Sequence, residues 1–259
     1  MLNGLILSTA FILGACMGSF LNVCICRLPA AQSIVTPGSK CPRCNTPVRF
    51  YDNIPIISYI FLKGKCRTCK EPISIRYPLV ELLTGLVAMA TTIKFGISVE
   101  SLIYFTFIAA LIVTTFIDID HKIIPDSISL PGIPIGVLSC LAIGSLQFKD
   151  SLLGVLIGGG SLFLIAWGYH FITGKEGMGG GDIKLLAMIG AFTGWKGVFF
   201  TIFVSSLTGT IIGVTLMLIA RKNLKFAVPF GPFLAIGAVL YVFFGPELIS
   251  WYYYGLYIQ

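Results

Sequence analysis

Charge is what this sequence has least of. Only 11% of its 259 residues are Asp, Glu, Lys or Arg, where soluble domains carry about 25%. Hydrophobic residues make up 56%, and mean hydropathy is +0.92. That balance excludes an ordinary soluble domain. It equally excludes a disordered chain, which needs many charges and few apolar groups. Histidine is scarce as well: there are 2, His121 and His170, and neither belongs to a His-Glu-x-x-His zinc site. No Gly-x-Ser-x-Gly elbow and no Gly-x4-Gly-Lys-Ser/Thr loop occurs, which removes serine-hydrolase and phosphate-loop chemistry. No Lys or Arg precedes the first apolar run, and that run is longer than a secretory signal's, so an uncleaved first span is expected.

A hydrocarbon core about 30 Å thick takes roughly 20 apolar helical residues. Runs at 2–26, 77–93, 102–117, 128–148, 152–172, 183–193, 197–220 and 228–244 predict an all-α membrane protein of about eight transmembrane helices. The sixth run is short enough to be re-entrant, and the basic residues decide against that. With eight crossings and the N-terminus outside, all 18 Lys and Arg except Lys94, Lys149 and Lys196 face the cytoplasm. A sixth run that turned back would leave Arg221, Lys222 and Lys225 outside. The net charge of +7 is thereby a topology signal, and nucleic acid is not an expected partner. Trp251-Tyr252-Tyr253-Tyr254 falls at the outer interface as an aromatic anchor. The chain divides into a first helix at 1–27, a polar insert at 28–76 and a seven-helix membrane domain at 77–259. Gly14 with Gly18, Gly158-Gly159-Gly160, and Gly209 with Gly213 suit close helix packing. No tandem repeat stands out.

The insert of about fifty residues is too small to be held by an apolar core alone. It carries Cys41-Pro-Arg-Cys44 and, after 21 intervening residues, Cys66-Arg-Thr-Cys69. Two Cys-x-x-Cys hooks can put four thiolates on one tetrahedral zinc, whose binding energy replaces the missing core. Disulfides do not suit a cytoplasmic loop, and a redox hook explains one pair but not two. Cys16, Cys24, Cys26 and Cys140 lie in apolar runs and are given no role beyond packing.

Carboxylates at membrane depth are costly, so each needs a reason. Glu81 lies little more than a turn past Arg76, and an ion pair or a local hydrogen bond would account for it. Asp126 follows Pro125 in ordinary N-cap placement, and Asp182 could be a cap too. Asp118 has no such account: it falls at a helix C-terminus, where the macrodipole disfavours negative charge. Asp120 lies about 200° further round and points to water. Two spans that each bring an aspartate to one depth suggest a dyad of Asp118 and Asp182 sharing a proton. The Gly179-Gly180-Gly181 run lets backbone approach an extended substrate.

Gly179-Gly180-Gly181-Asp182 fits the Gly-x-Gly-Asp signature of membrane aspartic proteases. Together with Gly18-Ser-Phe-Leu-Asn22, Arg27-Leu-Pro29, the double Cys-x-x-Cys, Arg76-Tyr-Pro-Leu-Val-Glu81, Asp118-Ile-Asp120, Ile124-Pro-Asp126, Thr173-Gly-Lys-Glu-Gly-Met-Gly179 and Pro229-Phe-Gly-Pro232, it resembles the bacterial type IV prepilin peptidases. The resemblance covers about residues 18 to 237. Only the segment between Pro29 and Cys41 departs, being shorter than in some relatives. It implies a bacterial inner-membrane enzyme, active at the cytoplasmic face, that cleaves the leader of prepilins or type II secretion pseudopilins. Such enzymes then N-methylate the new terminus with S-adenosylmethionine. The resemblance makes Asp118 and Asp182 catalytic and associates methyl transfer with the insert, where Gly64 and Lys65 match the family pattern. A peptidase without methyl transfer and a proton-coupled transporter are the competing expectations. Which secretion system is served, and the oligomeric state, have no signature in the sequence.

Overall fold

The computed structural model describes residues 3–175, 179–220 and 229–257. Apart from two isolated β-bridges, every regular element among them is helical. In chain order these are α1 (Gly4–Arg27), a 3-10 turn (Phe50–Asn53), α2 (Ile57–Phe61), α3 (Arg76–Phe95) and α4 (Val99–His121). They continue with α5 (Asp126–Ser139), α6 (Phe148–Thr173), α7 (Gly180–Ala220) and α8 (Gly231–Tyr257). Six helices are long and apolar enough to cross a bilayer: α1, α3, α4, α6, α7 and α8. Two compact units result, Met1–Val113 and Thr114–Gln259.

The eight apolar runs fall on seven helices. The sixth and seventh are joined in the 41-residue α7, which is broken at Gly194 by a conformation (φ 72, ψ 177) outside the helical region. The fourth, expected over 128–148, is a helix of only 14 residues. At 1.5 Å per residue it spans about 21 Å, short of the ~30 Å of hydrocarbon. Pro131 and Pro134 remove two amide donors from its ladder. Arg221, Lys222 and Lys225, on which the orientation turned, lie outside the described residues.

In the first unit α1 packs on α3 through glycine. A Cβ on Gly18 would stand 2.7 Å from Glu81 Cα, and Gly14 likewise abuts Ala88 and the Thr84 carbonyl. In the second unit Gly154 of α6 and Gly190 of α7 each press on the other's carbonyl, and Ser151 Oγ donates to the Ala191 carbonyl at 2.7 Å. Gly158 meets the Leu186 carbonyl, whereas Gly160 and Gly213 have open space beside them. The small-residue pattern is thus a packing surface in part only.

Candidate active site and metal centre

In the first unit, Cys41, Cys44, Cys66 and Cys69 converge, with all four sulfurs within 4.8 Å of one another. Cys41 Sγ and Cys69 Sγ are 3.8 Å apart, close to the edge of about 3.8 Å that tetrahedral zinc with ~2.3 Å bonds to sulfur requires. The donor set therefore fits zinc. Each hook is held the same way. Lys40 bridges Pro47 and Lys65 bridges Pro72. The Cys41 amide donates to the Thr46 carbonyl at 3.0 Å, and the Cys66 amide donates to the Glu71 carbonyl at 2.8 Å. Asn45 and Lys70 turn each chain with φ of 57 and 61. The sequence carries this as a repeat: Lys40-Cys-x-x-Cys-x-x-Pro47 and Lys65-Cys-x-x-Cys-x-x-Pro72 are two copies of one cysteine knuckle.

The electrostatics favour a cation here. The Thr46 hydroxyl, 3.3 Å from its sulfur, pulls the Cys44 thiol down to about 6. Amides of its own hook, led by that of Cys69, lower Cys66 as well. Cys69 is pushed up to about 12; the Glu71 amide favours its thiolate, but desolvation and the three neighbouring sulfurs outweigh it. Beside the cluster Arg67 grips both oxygens of Asp52 at 2.6 to 3.1 Å, tying the second hook to the 3-10 turn. Gly64, at φ +67, bends the chain behind Tyr59; a Cβ there would stand 3.0 Å from that ring. Lys65 is in the bridge to Pro72.

Glu81 on α3 is buried at 8% exposure. Of the two accounts the sequence allowed, the hydrogen bond holds, though it is not local. Glu81 Oε2 accepts the Ile56 amide, 25 positions back, at 2.7 Å. Arg76 donates instead to Cys26 Sγ at 3.3 Å, and Cys26 is exposed where a packing role foresaw burial.

In the second unit, α4 ends at His121 and carries Asp118 in its last turn. Asp118 is 5% exposed, while Asp120 is exposed as expected. Asp118 Oδ2 accepts the Gly231 amide at 2.9 Å. That amide opens α8, so Asp118 sits at one helix's end and another's beginning. Asp182 lies in the first turn of α7, partly buried, and the Asp118 charge acts on it. Two contacts bring the α4–α5 connection to the start of α7. Gly181 abuts Ile124 so closely that a Cβ would stand 2.9 Å from the Ile124 Cβ. Lys184 Nζ donates to both oxygens of Asp126 at 2.8 and 2.9 Å. Asp126 is accordingly not a cap: Pro125 holds that position, and Asp126 is an ion-pair partner. Glu176, Gly177 and Met178 of the glycine-rich motif lie outside the described residues.

Lys184 and Gly231 were not singled out as site residues. Lys184 sat in an apolar run, and Gly231 lies 113 positions from the carboxylate it touches.

Residues 12–95 match the Bacterial Peptidase A24 N-terminal domain, and residues 105–214 match the Type IV leader peptidase family. A membrane peptidase is the class these define. The prepilin leader peptidase/N-methyltransferase of Pseudomonas putida is 35% identical over 94% of this chain and 92% of its own. That of Aeromonas hydrophila is 37% identical over 95% and 93%, and that of Pseudomonas aeruginosa 36% over 93% and 91%. The chain belongs to the prepilin leader peptidase/N-methyltransferase family. No solved structure matches it.

Proposed function

We propose that this protein is a bacterial inner-membrane enzyme that removes the leader from prepilins or pseudopilins at the cytoplasmic face and N-methylates the new terminus. The observation that carries the reading is the juxtaposition, through Gly181 on Ile124 and Lys184 on Asp126, of the segments bearing buried Asp118 and half-buried Asp182. One carboxylate takes a proton from water as its oxygen attacks the scissile carbonyl carbon. The other, protonated, hydrogen-bonds the carbonyl oxygen and then gives its proton to the amine as the C–N bond breaks. Asp182 is the base and Asp118 the proton carrier. Cys41, Cys44, Cys66 and Cys69 hold zinc, which supplies folding energy to the insert. A transporter would need carboxylates to relay protons through mid-membrane. Asp118 and Asp182 lie instead in a last and a first helical turn.

The test uses purified protein in detergent with a leader-bearing prepilin, the product being weighed. Asp118→Asn and Asp182→Asn should each abolish cleavage with the melting temperature kept. Cleavage retained by either variant removes that residue from the dyad.

A further inference from the structure

The insert between α1 and α3 contains an apolar stretch. From Asn53 to Leu62 there is no Asp, Glu, Lys or Arg, and Ile54, Ile56, Ile57, Ile60, Phe61 and Leu62 fall within it. A run of that length is too short to cross a bilayer. Nor do its side chains build a core. Phe50, just before the stretch, is 89% exposed, Phe61 is 82% and Ile60 is 66%, and Ile54 and Ile57 are exposed as well. Ile57, Ile60 and Phe61 stand three and four positions apart on α2, so they share one helical face. Ser58 is turned inward instead, its Oγ donating to the Tyr51 carbonyl of the 3-10 turn at 3.0 Å. Large exposed apolar groups crowded into one short segment mark a contact surface.

Depth indicates what covers that surface. Two bonds tie the segment beside the spanning helices, inside their ends. Ser19 Oγ donates to Asn53 Oδ1 at 3.4 Å, and Glu81 Oε2 accepts the Ile56 amide at 2.7 Å. Ser19 precedes the Arg27 end of α1 by about 12 Å along the axis, at 1.5 Å per residue. Glu81 lies about 7.5 Å past the Arg76 start of α3. The chain therefore returns from the knuckles toward the membrane, close to the 5–10 Å depth at which interfacial helices bury their apolar face. Phe20 and Leu82, next in sequence to Ser19 and Glu81, are exposed apolar side chains of the spans at the same level. The return is held against strain. Ile56 has φ 62 and ψ −50, a γ-turn of the rarer hand closed by the Ile57 amide on the Pro55 carbonyl.

Charge on either side completes the pattern. Arg49 and Lys63, both exposed, bracket the segment. The acid between them, Asp52, is taken by Arg67, so the charge left facing outward is positive. Arg49 also donates to the Tyr51 hydroxyl, which sets a cation and an aromatic side by side, as at a headgroup layer. Depth and flanking charge both favour lipid over a second apolar polypeptide.

We propose that the 3-10 turn and α2 form an interfacial membrane anchor. Phe50, Ile57, Ile60 and Phe61 enter the acyl chains of the leaflet on the insert's side, and Arg49 and Lys63 meet acidic phospholipid headgroups. An insert held together by its cysteine knuckles is thereby also held in place against the bilayer.

The test is photolabelling of the full-length wild-type chain in vesicles of phosphatidylethanolamine with one quarter phosphatidylglycerol. A trace of phosphatidylglycerol bearing a diazirine near the top of one acyl chain supplies the label, and digests are mapped by mass. Peptides holding residues 57–62 should be labelled within fivefold of those holding 79–86, where α3 exposes Leu79, Leu82, Leu83 and Leu86. Arg49→Gln combined with Lys63→Gln should cut this label at least threefold relative to a phosphatidylcholine probe with the same diazirine. Wild-type label at 57–62 more than fivefold below that at 79–86 overturns the anchor, since the face then meets water. Label lost on adding a leader-bearing prepilin overturns it in favour of a substrate dock. Label lost as the chain is crowded in the vesicle overturns it in favour of a second copy. An unchanged ratio of the two probes in the double variant overturns the headgroup role of Arg49 and Lys63.

Discussion

Gly231→Ala should disable leader cleavage while the protein still folds. A Cβ at residue 231 would stand 2.7 Å from Asp118 Oδ2 and 3.3 Å from its Cγ. Ordinary contact begins near 3.4 Å, so the carboxyl must swing away by roughly 0.7 Å or lose its bond to the Gly231 amide. A hydrogen bond to a charged group is worth about 1.5–3 kcal/mol, which is about 10- to 150-fold in rate at 1.36 kcal/mol per decade. A displacement approaching 1 Å at a reacting group costs on the order of 100-fold by itself. Gly231 has no positive φ, so alanine there needs no left-handed backbone, but Pro232 after it disfavours the helical region for a residue with a Cβ, a modest cost to the fold. The assay is single-turnover cleavage of a leader-bearing prepilin in detergent, paired with a thermal melt. The expected result is a rate about 100-fold down with the melting temperature lowered only slightly. A rate within threefold of wild type would refute the positioning role. A melting temperature lowered by many degrees would show that Gly231 serves packing.

Zinc and pH provide the remaining expectations. Metal analysis of the purified chain should find one zinc per molecule. Cys66→Ser, or a strong chelator, should expose the residues between Cys41 and Cys69 to limited proteolysis, since a fifty-residue insert has little else to hold it; an unchanged digestion pattern would mean that the metal is dispensable for the fold. The Asp52 carboxyl is held below its usual range, first by its hydrogen bonds to Arg67. Its stabilising effect is therefore fully present above the unfolded value of about 3.9 and is lost as pH falls through the lower folded value. Asp52→Asn should lower the thermal stability of the insert at pH 6–7, with the gap to wild type closing below about pH 3. A gap that widened on acidification would reverse the sign and reject the pair as its cause.

Local patterns show in a sequence when the interaction they encode is local or periodic. The four candidate metal ligands were visible because each hook puts two sulfurs on one turn, and a tetrahedral metal needs little more than that spacing. The eight-residue repeat around the hooks is equally local, with copies 25 positions apart, but it lies in residue identity and leaves no trace in apolar periodicity. Pro131 and Pro134 likewise announce a short helix inside the 128–148 run, yet hydropathy summed over that run does not register a missing amide. Gly231 is a different case. Its amide reaches Asp118 across 113 positions, and nothing near either residue encodes that contact. Asn22 stands in the quoted Gly18-Ser-Phe-Leu-Asn22 motif, but only the structure shows that its amide donates to the Gly18 and Tyr77 carbonyls.

The roles proposed for the two aspartates rest on access once both helix ends are counted. Helix ends in the sequence set Asp182 at an N-terminus and Asp118 at a C-terminus, which makes Asp182 the base by dipole alone. The α8 start changes that premise, because the Gly231 amide at 2.9 Å gives Asp118 an N-terminal donor of its own. Dipole effects fade within a turn, so a direct N–H outweighs the α4 carbonyls behind it. What still separates the two is exposure: Asp118 is 5% exposed and bound on Oδ2, whereas Asp182 lies partly open beside Gly179. A hydrolytic water and an extended substrate must both reach the base, and the glycines leading into α7 leave room for them. In the proposed dyad Asp182 remains the base, for a reason of access. Asp118, clamped by a backbone amide, is suited to hold and return one proton in a fixed place.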